Sequence, residues 1–181
     1  RRQRQMCIRD RITTSDPEIA RKAAMLRNQG MEKRYANEYV GLNNRMTDIH
    51  AAIGRVQLTK LAGWTKTRQE NAAFLSANIT EAVTPTVPEG YVHVYHQYTI
   101  RLEGVSGEER DRFVAALKDE HQVGSGVYYP IPNHRLPSLA PYAPGLELPN
   151  TEKVAAECVS LPVHPSLSQA DLERIVAGVN A

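Results

Sequence analysis

The chain has 181 residues, 41% of them hydrophobic and 23% charged, with a formal net charge of +2. That length suits one domain, or the larger part of one, able to bury about 70% of its unfolded surface. Interspersed charges of both signs argue against a general nucleic-acid or membrane surface. No stretch approaches the roughly 20 apolar residues of a membrane span, and Cys7 and Cys158 lack metal-ligand spacing, which fits a reducing, cytoplasmic compartment.

Residues 1–11 are polar, basic and aperiodic. They read as a solvated or non-native tail outside the domain, with a basic arm that contacts nucleic acid as the alternative. Ser15-Asp16-Pro17-Glu18 then predicts a helix start, with cap residues, proline in the first turn and an acid near the positive end. Ile19, Ala23 and Leu26 share one face, and Gly30 is the expected stop. After a polar, tyrosine-bearing loop, Thr47 caps a second helix with Asp48 in its first turn. Met46, Ile49, Ile53 and Val56 form its apolar stripe, beside the small residues Ala51, Ala52 and Gly54. The pattern runs on through Leu75 and Ile79, with a kink or break expected near Gly63.

Residues 84–90 form a turn-rich linker. Beyond it Val92, Val94, His96, Tyr98, Ile100 and Leu102 alternate with polar residues, predicting one long strand. Ser106 and Glu109 make a capping box for a helix carrying Phe113, Val114 and Leu117. A short strand is expected over 123–129 and a proline-rich loop over 130–149. A helix over 151–158 and an extended stretch over 159–163 follow. Ser168 with Asp171 caps a last helix whose buried face is Leu172, Ile175, Val176 and Val179. The order is that of an α/β or α+β protein without internal repeats.

No nucleophile triad, metal cluster or glycine-rich phosphate loop is visible. Asp48 and His50 are two apart on a helix, the wrong spacing for a shared metal. Cys158, in an apolar segment, reads as a buried and inert thiol. Three concentrations of polar groups remain. Asn43 and Arg45 sit in a small-residue loop that leads into a capped helix, an arrangement suited to anions, or equally a turn asparagine and a surface arginine. His96 lies on the apolar face of its strand, where a core histidine is the plain alternative. Tyr128-Tyr129-Pro130-Ile131-Pro132-Asn133-His134-Arg135 puts phenols, an imidazole and a guanidinium on a stiffened loop, suited to a polar, ring-bearing ligand or to an exposed turn.

The run Gly41-Leu42-Asn43-Asn44-Arg45-Met46-Thr47-Asp48-Ile49-His50-Ala51-Ala52 resembles the Gly-x-Asn-x-Arg-Met-x-Asp-x-x-Ala-Ala segment of the DegT/DnrJ/StrS family of pyridoxal-phosphate-dependent sugar aminotransferases. Further likenesses follow in order: Asp16-Pro17-Glu18-Ile19-Ala20 with Leu26-Arg27-Asn28-Gln29-Gly30, and Tyr95-His96-Gln97-Tyr98. Tyr128-Tyr129-Pro130-Ile131-Pro132 with His134 is similar to the family's His-Tyr-Pro-x-Pro-x-His loop. Leu148-Pro149 with Glu152, and Ser160-Leu161-Pro162-Val163-His164-Pro165, resemble its closing segments.

The resemblance implies the C-terminal part of a fold-type-I aminotransferase, α/β in class. Residues 12–80 would be the end of the large domain and an interdomain helix, and 81–181 a small α+β domain. It implies a homodimer with a shared active site. Asn43 would reach the phosphate of the partner subunit's pyridoxal 5'-phosphate, and Arg45 would bind a substrate anion. His96, Tyr129 and His134 would line the side where a nucleotide-linked keto-sugar enters, and glutamate would donate the amino group. The family's Schiff-base lysine would precede Ile12. None of Lys22, Lys33, Lys60, Lys66, Lys118 and Lys153 occupies that place, so no catalytic residue is expected here and the chain alone would be inactive. Neither metal, membrane nor nucleic acid is expected as a partner. The alternatives are a dehydratase-like relative, in which histidine replaces that lysine, and a non-catalytic binding or dimerisation module with a basic arm.

Overall fold

The computed structural model describes residues 12–181, so the readings of the basic tail and of Cys7 lie outside the described residues. The chain divides into two compact units, the first ending at Leu61 and the second spanning Ala62–Ala181.

In the first unit, Asp16 Oδ1 accepts the backbone N–H of Glu18 and of Ile19, and Pro17 opens helix α1, Pro17–Arg27. These bonds satisfy donors that the first helical turn leaves without partners. At the other end Gly30 N–H bonds Met25 O at 2.8 Å, and Gly30 takes a φ of +75°, a value glycine adopts without strain. The face shared by Ile19, Ala23 and Leu26 is not the buried one. Met25 is 2% exposed, whereas Ile19 and Leu26 are 53% and 46% exposed. The unit packs against the Met25 side of the helix, where Arg21 lies across the Met25 sulfur, and the outer stripe opens on a cavity.

Helix α2, Asp48–Asn78, contributes its beginning to the first unit and its end to the second. Thr47 Oγ1 accepts from the His50 N–H at 3.3 Å, as the cap predicts. The break expected near Gly63 is absent: the helix is continuous, because an isolated glycine costs an otherwise regular helix only about 1 kcal/mol. Ile49, Ile53 and Val56 of its stripe are exposed, while Ala72 and Leu75 at its far end are buried. Among the described residues no helix is long and apolar enough to cross a membrane.

The second unit is built on strands β1, Tyr98–Arg101, and β2, Cys158–Leu161, paired antiparallel with Tyr98 opposite Leu161 and Arg101 opposite Cys158. Single bridges extend the ladder, Val83 to Arg101 on one side and Gly126 to Ser160 on the other. Helix α3, Gly107–Asp119, carries the reciprocal Ser106–Glu109 capping box. Two short 3₁₀ turns, Asn133–Arg135 and Ala140–Tyr142, lie in the proline-rich loop. Helix α4, Pro149–Glu157, then leads directly into β2. Helix α5, Gln169–Val179, has the Ser168–Asp171 box. The core joins Leu75, Tyr98, Ile100, Leu117, Val159 and Ile175, with Leu172 and Val179 beside them.

The strand expected over 92–102 is confined to its second half. Tyr95 has a φ of +46°, which no strand residue adopts, and His93 Nδ1 accepts the Tyr95 N–H at 2.8 Å in a local turn. The neighbouring carbonyls are taken by α2: Gln69 Nε2 donates to His93 O at 2.9 Å and Arg68 Nη1 to Tyr95 O at 3.2 Å. Two carbonyls and one N–H of the segment are spent this way, and Val92 and Val94 face outward. The expected strand over 123–129 contracts to the Gly126 bridge.

Two charges are buried here. Arg110, 3% exposed, sends Nη1 to the carbonyls of Ala155 and Ala156 at 2.6 and 3.1 Å, a cation on the negative end of α4. Glu157, 1% exposed, accepts from Arg101 Nη1 at 2.8 Å and from the Gly104 N–H at 3.0 Å. That backbone bond, then the cations Lys153 and Arg101, hold its carboxyl below the usual carboxylate range.

Candidate functional site

The loop bearing Asn43 and Arg45 is shaped by two glycines pressed against backbone. A Cβ on Gly41 would lie 2.2 Å from Gly30 N, and a Cβ on Gly30 would lie 1.7 Å from Tyr39 O. Only side-chain-free residues allow the strands of this loop to cross so closely. The crossing is fixed by hydrogen bonds from Leu42 N to Leu26 O at 2.7 Å, from Gln29 N to Leu42 O at 2.9 Å and from Asn44 N to Arg27 O at 3.0 Å. Asn43 thereby bridges Asn28, and Arg45 donates from Nη2 to Asn28 Oδ1. The loop is clamped to the end of α1, and α2 begins three residues beyond Arg45.

Next to this clamp is an open cavity of about 1510 Å³, whose apolar wall includes Ile19, Leu26 and Leu42. Its charged lining consists of Lys22, Arg27 and Arg45, without a carboxylate among the described residues. Asn43 and Asn44 add amides. The Asn43 carboxamide makes no hydrogen bond among the described residues and is exposed. Such a donor set suits an anion carrying several oxygens, and a phosphate fits it. A group of His, Cys, Asp and Glu able to hold a metal is absent among the described residues.

His96, Tyr129 and His134 belong to the second unit. His96 follows the Tyr95 turn and is exposed, not set on a buried strand face as alternation predicts. Tyr129 is 72% exposed, its ring edge-on to Tyr128 at 6.2 Å between centroids. His134 is turned inward, its side chain 6% exposed, with Nε2 at 2.9 Å from Glu152 Oε1. Arg135 donates to the same oxygen through Nε and Nη2 at 3.1 and 2.8 Å. His134 first, then Arg135, hold the Glu152 carboxyl at about 2. Glu152 is the partner that sequence reasoning does not reveal. It lies 18 residues from His134, and no local spacing connects the two. Cys158 is buried at 5% exposure.

The sequence profile of the DegT/DnrJ/EryC1/StrS aminotransferase family matches residues 11–180. The chain belongs to this family. It is 37% identical over 172 residues to a "pleiotropic regulatory protein" of Geobacillus stearothermophilus, covering 91% of this chain and 44% of that protein. Its identity to the dTDP-3-amino-3,6-dideoxy-alpha-D-galactopyranose transaminase of Aneurinibacillus thermoaerophilus is 33% over 171 residues, covering 93% and 45%. Among solved structures, S. venezuelae DesV superposes with a TM-score of 0.84 at 31% identity, over 93% of this chain and 45% of that one. NtdA of Bacillus subtilis, solved with bound cofactor PMP, superposes at 0.80 with 26% identity over 92% and 40%. The chain therefore spans less than half the length of the family members it matches, and its fold is that of part of a sugar aminotransferase.

Proposed function

We propose that this chain is the C-terminal part of a pyridoxal-phosphate-dependent aminotransferase that moves an amino group from glutamate onto a nucleotide-linked keto-sugar, in glycan or antibiotic-sugar synthesis, in the cytoplasm. The observation that carries the reading is the cavity, free of carboxylates among the described residues, in which the Asn43 amide, without a partner among them, lies beside Arg45 on a loop clamped by Gly30 and Gly41. Family membership supplies the context, and relatives named as dTDP-sugar, UDP-sugar and GDP-perosamine enzymes support the substrate class.

In this reading Asn43 donates to the phosphate of the cofactor held by the partner subunit of a homodimer. Arg45, oriented by Asn28, meets a substrate carboxylate or diphosphate. Pyridoxal phosphate, when bound, supplies the electron sink that lets the amino group change carriers. Its Schiff-base lysine is contributed from outside this chain's residues. His96, Tyr129 and His134 contact the sugar nucleotide. Within the first unit, the apolar wall near Ile19 and Leu42 excludes water from the anion that Asn43 binds.

The test uses the intact gene product that contains this chain. The purified protein is expected to absorb in the near-ultraviolet and visible, and the band is expected to shift when glutamate is added. Asn43→Ala should release cofactor on dialysis that the unaltered protein retains. A colourless protein that gains no band on adding pyridoxal phosphate would sink the reading.

A further inference from the structure

Helix α1 carries three basic side chains, and two of them are already paired within the first unit. Arg21 meets Glu18 at 2.9 Å and Glu32 at 3.1 Å, and Lys22 lies 3.6 Å from Glu18. Arg27, the third, makes no ion pair or side-chain hydrogen bond among the described residues. The reason is local. A helical side chain leans toward the N-terminus, over the residues three and four positions back. For Arg21 this brings Glu18 within reach, whereas for Arg27 it brings Ala23 and Ala24, which offer neither charge nor bulk.

Arg27 lines the cavity described above and also a second one, of about 500 Å³, in the same unit. Arg45 lines both as well, so the two cavities share one pair of cations. Backbone and side chain hold that pair together: the Asn44 N–H bonds Arg27 O at 3.0 Å, and Arg45 donates to the side chain of Asn28, the residue after Arg27. Asn28 is neutral, so its bond orients Arg45 without cancelling the charge. Glu32, the carboxylate that lines the smaller cavity, is held by Arg21. Two neighbouring positive charges therefore face the cavities uncompensated among the described residues, which favours an anion there.

The number of charges selects the anion. A carboxylate has one charge and two oxygens, which a single guanidinium satisfies in a bidentate pair. The diphosphate of a sugar nucleotide carries a charge on each of two phosphoryl groups joined through one oxygen, and so matches two guanidiniums. We infer that Arg27 is a substrate-binding residue that acts with Arg45 to hold this diphosphate, one guanidinium to each phosphoryl group. The inference rests on the nucleotide-sugar reading above, and it decides between the two anions considered there for Arg45.

Calorimetric titration of the intact protein tests this with dTDP-glucose, UDP-glucose and GDP-mannose, each beside its nucleoside diphosphate. Arg27→Ala should weaken the sugar nucleotide that binds and its nucleoside diphosphate alike, by about 10- to 100-fold, the loss of one charge-assisted contact. Arg27→Lys, which keeps the charge but not the bidentate fork, should recover part of that loss. In both variants the band shift with glutamate and the retention of cofactor on dialysis should match the unaltered protein. Unchanged diphosphate binding in Arg27→Ala overturns the inference, as does loss of the glutamate response or of the cofactor in that variant. If the unaltered protein binds none of the three sugar nucleotides or their diphosphates, the nucleotide-sugar reading itself falls, and this inference with it.

Discussion

Gly41→Ala probes the link between the fold and the anion-binding loop. The added Cβ would meet Gly30 N at 2.2 Å, Gln29 C at 2.7 Å and Leu26 O at 2.8 Å, all of them backbone atoms that no side-chain rotation can move away. Reaching an ordinary 3.4 Å contact with Gly30 N means a separation of 3.4 − 2.2 = 1.2 Å between two chain segments. The bonds Leu42 N to Leu26 O and Gln29 N to Leu42 O, at 2.7 and 2.9 Å, span that crossing and would be lost. At about 1 kcal/mol each, the local cost is about 2 kcal/mol, or roughly a 30-fold faster opening. Hydrogen exchange followed by mass spectrometry should therefore speed up about 30-fold in peptides covering 26–45. Peptides covering β1 and β2 should exchange as before. In the intact enzyme a displacement of about 1 Å of Asn43 and Arg45 should cost on the order of a hundredfold in activity. Gly63→Ala is the counterpart, because no atom lies within 4 Å of its Cβ and it should stabilise α2 by up to about 1 kcal/mol. Unchanged exchange in 26–45 for Gly41→Ala would refute the claim that the crossing positions the loop.

Other expectations follow from the second unit. Leu75→Ala, at a fully buried core position, should cost about 2–5 kcal/mol in urea unfolding. Arg110→Met keeps an apolar stem but strands the carbonyls of Ala155 and Ala156, and should cost about 1–3 kcal/mol by the same measurement. Folding lowers the Glu152 carboxyl from its ordinary 4.5 to about 2, so its contribution is complete above 4.5 and is lost as pH falls toward 2. An acid titration of stability should show that loss in the unaltered protein, and Glu152→Gln should remove its share while the part due to Glu157 persists.

What could be read from the residues alone was mostly local. The caps at Asp16, Ser106 and Ser168 are decided within four positions, and all three form as their spacing requires. Alternation over 92–102 does not decide the strand, because its fate rests on Arg68 and Gln69, more than twenty residues earlier, which claim the carbonyls of Tyr95 and His93. Apolar residues at 19, 23 and 26 announce a sticky face of α1, but periodicity does not say what covers it, and the buried side chain of that helix is Met25. The same division holds at the candidate site. Asn43 and Arg45 stand out because the loop and the helix start are contiguous. The inward turn of His134 toward Glu152 depends on a tertiary contact with no signature in spacing.

The small sheet of the second unit also bears on self-association. Its four-residue strands would be natural templates for another chain if their outer backbone groups were free. Each outer edge instead carries a reciprocal pair of bonds, Val83 with Arg101 at 2.9 Å both ways, and Gly126 with Ser160 at 3.0 and 2.8 Å. What is left on either side is too short to seed a cross-chain ladder. If this piece is produced alone and clumps, the clumping should come from the bare leucine, isoleucine and valine side chains of α1 and α2, and should yield to mild detergent rather than mature into fibrils.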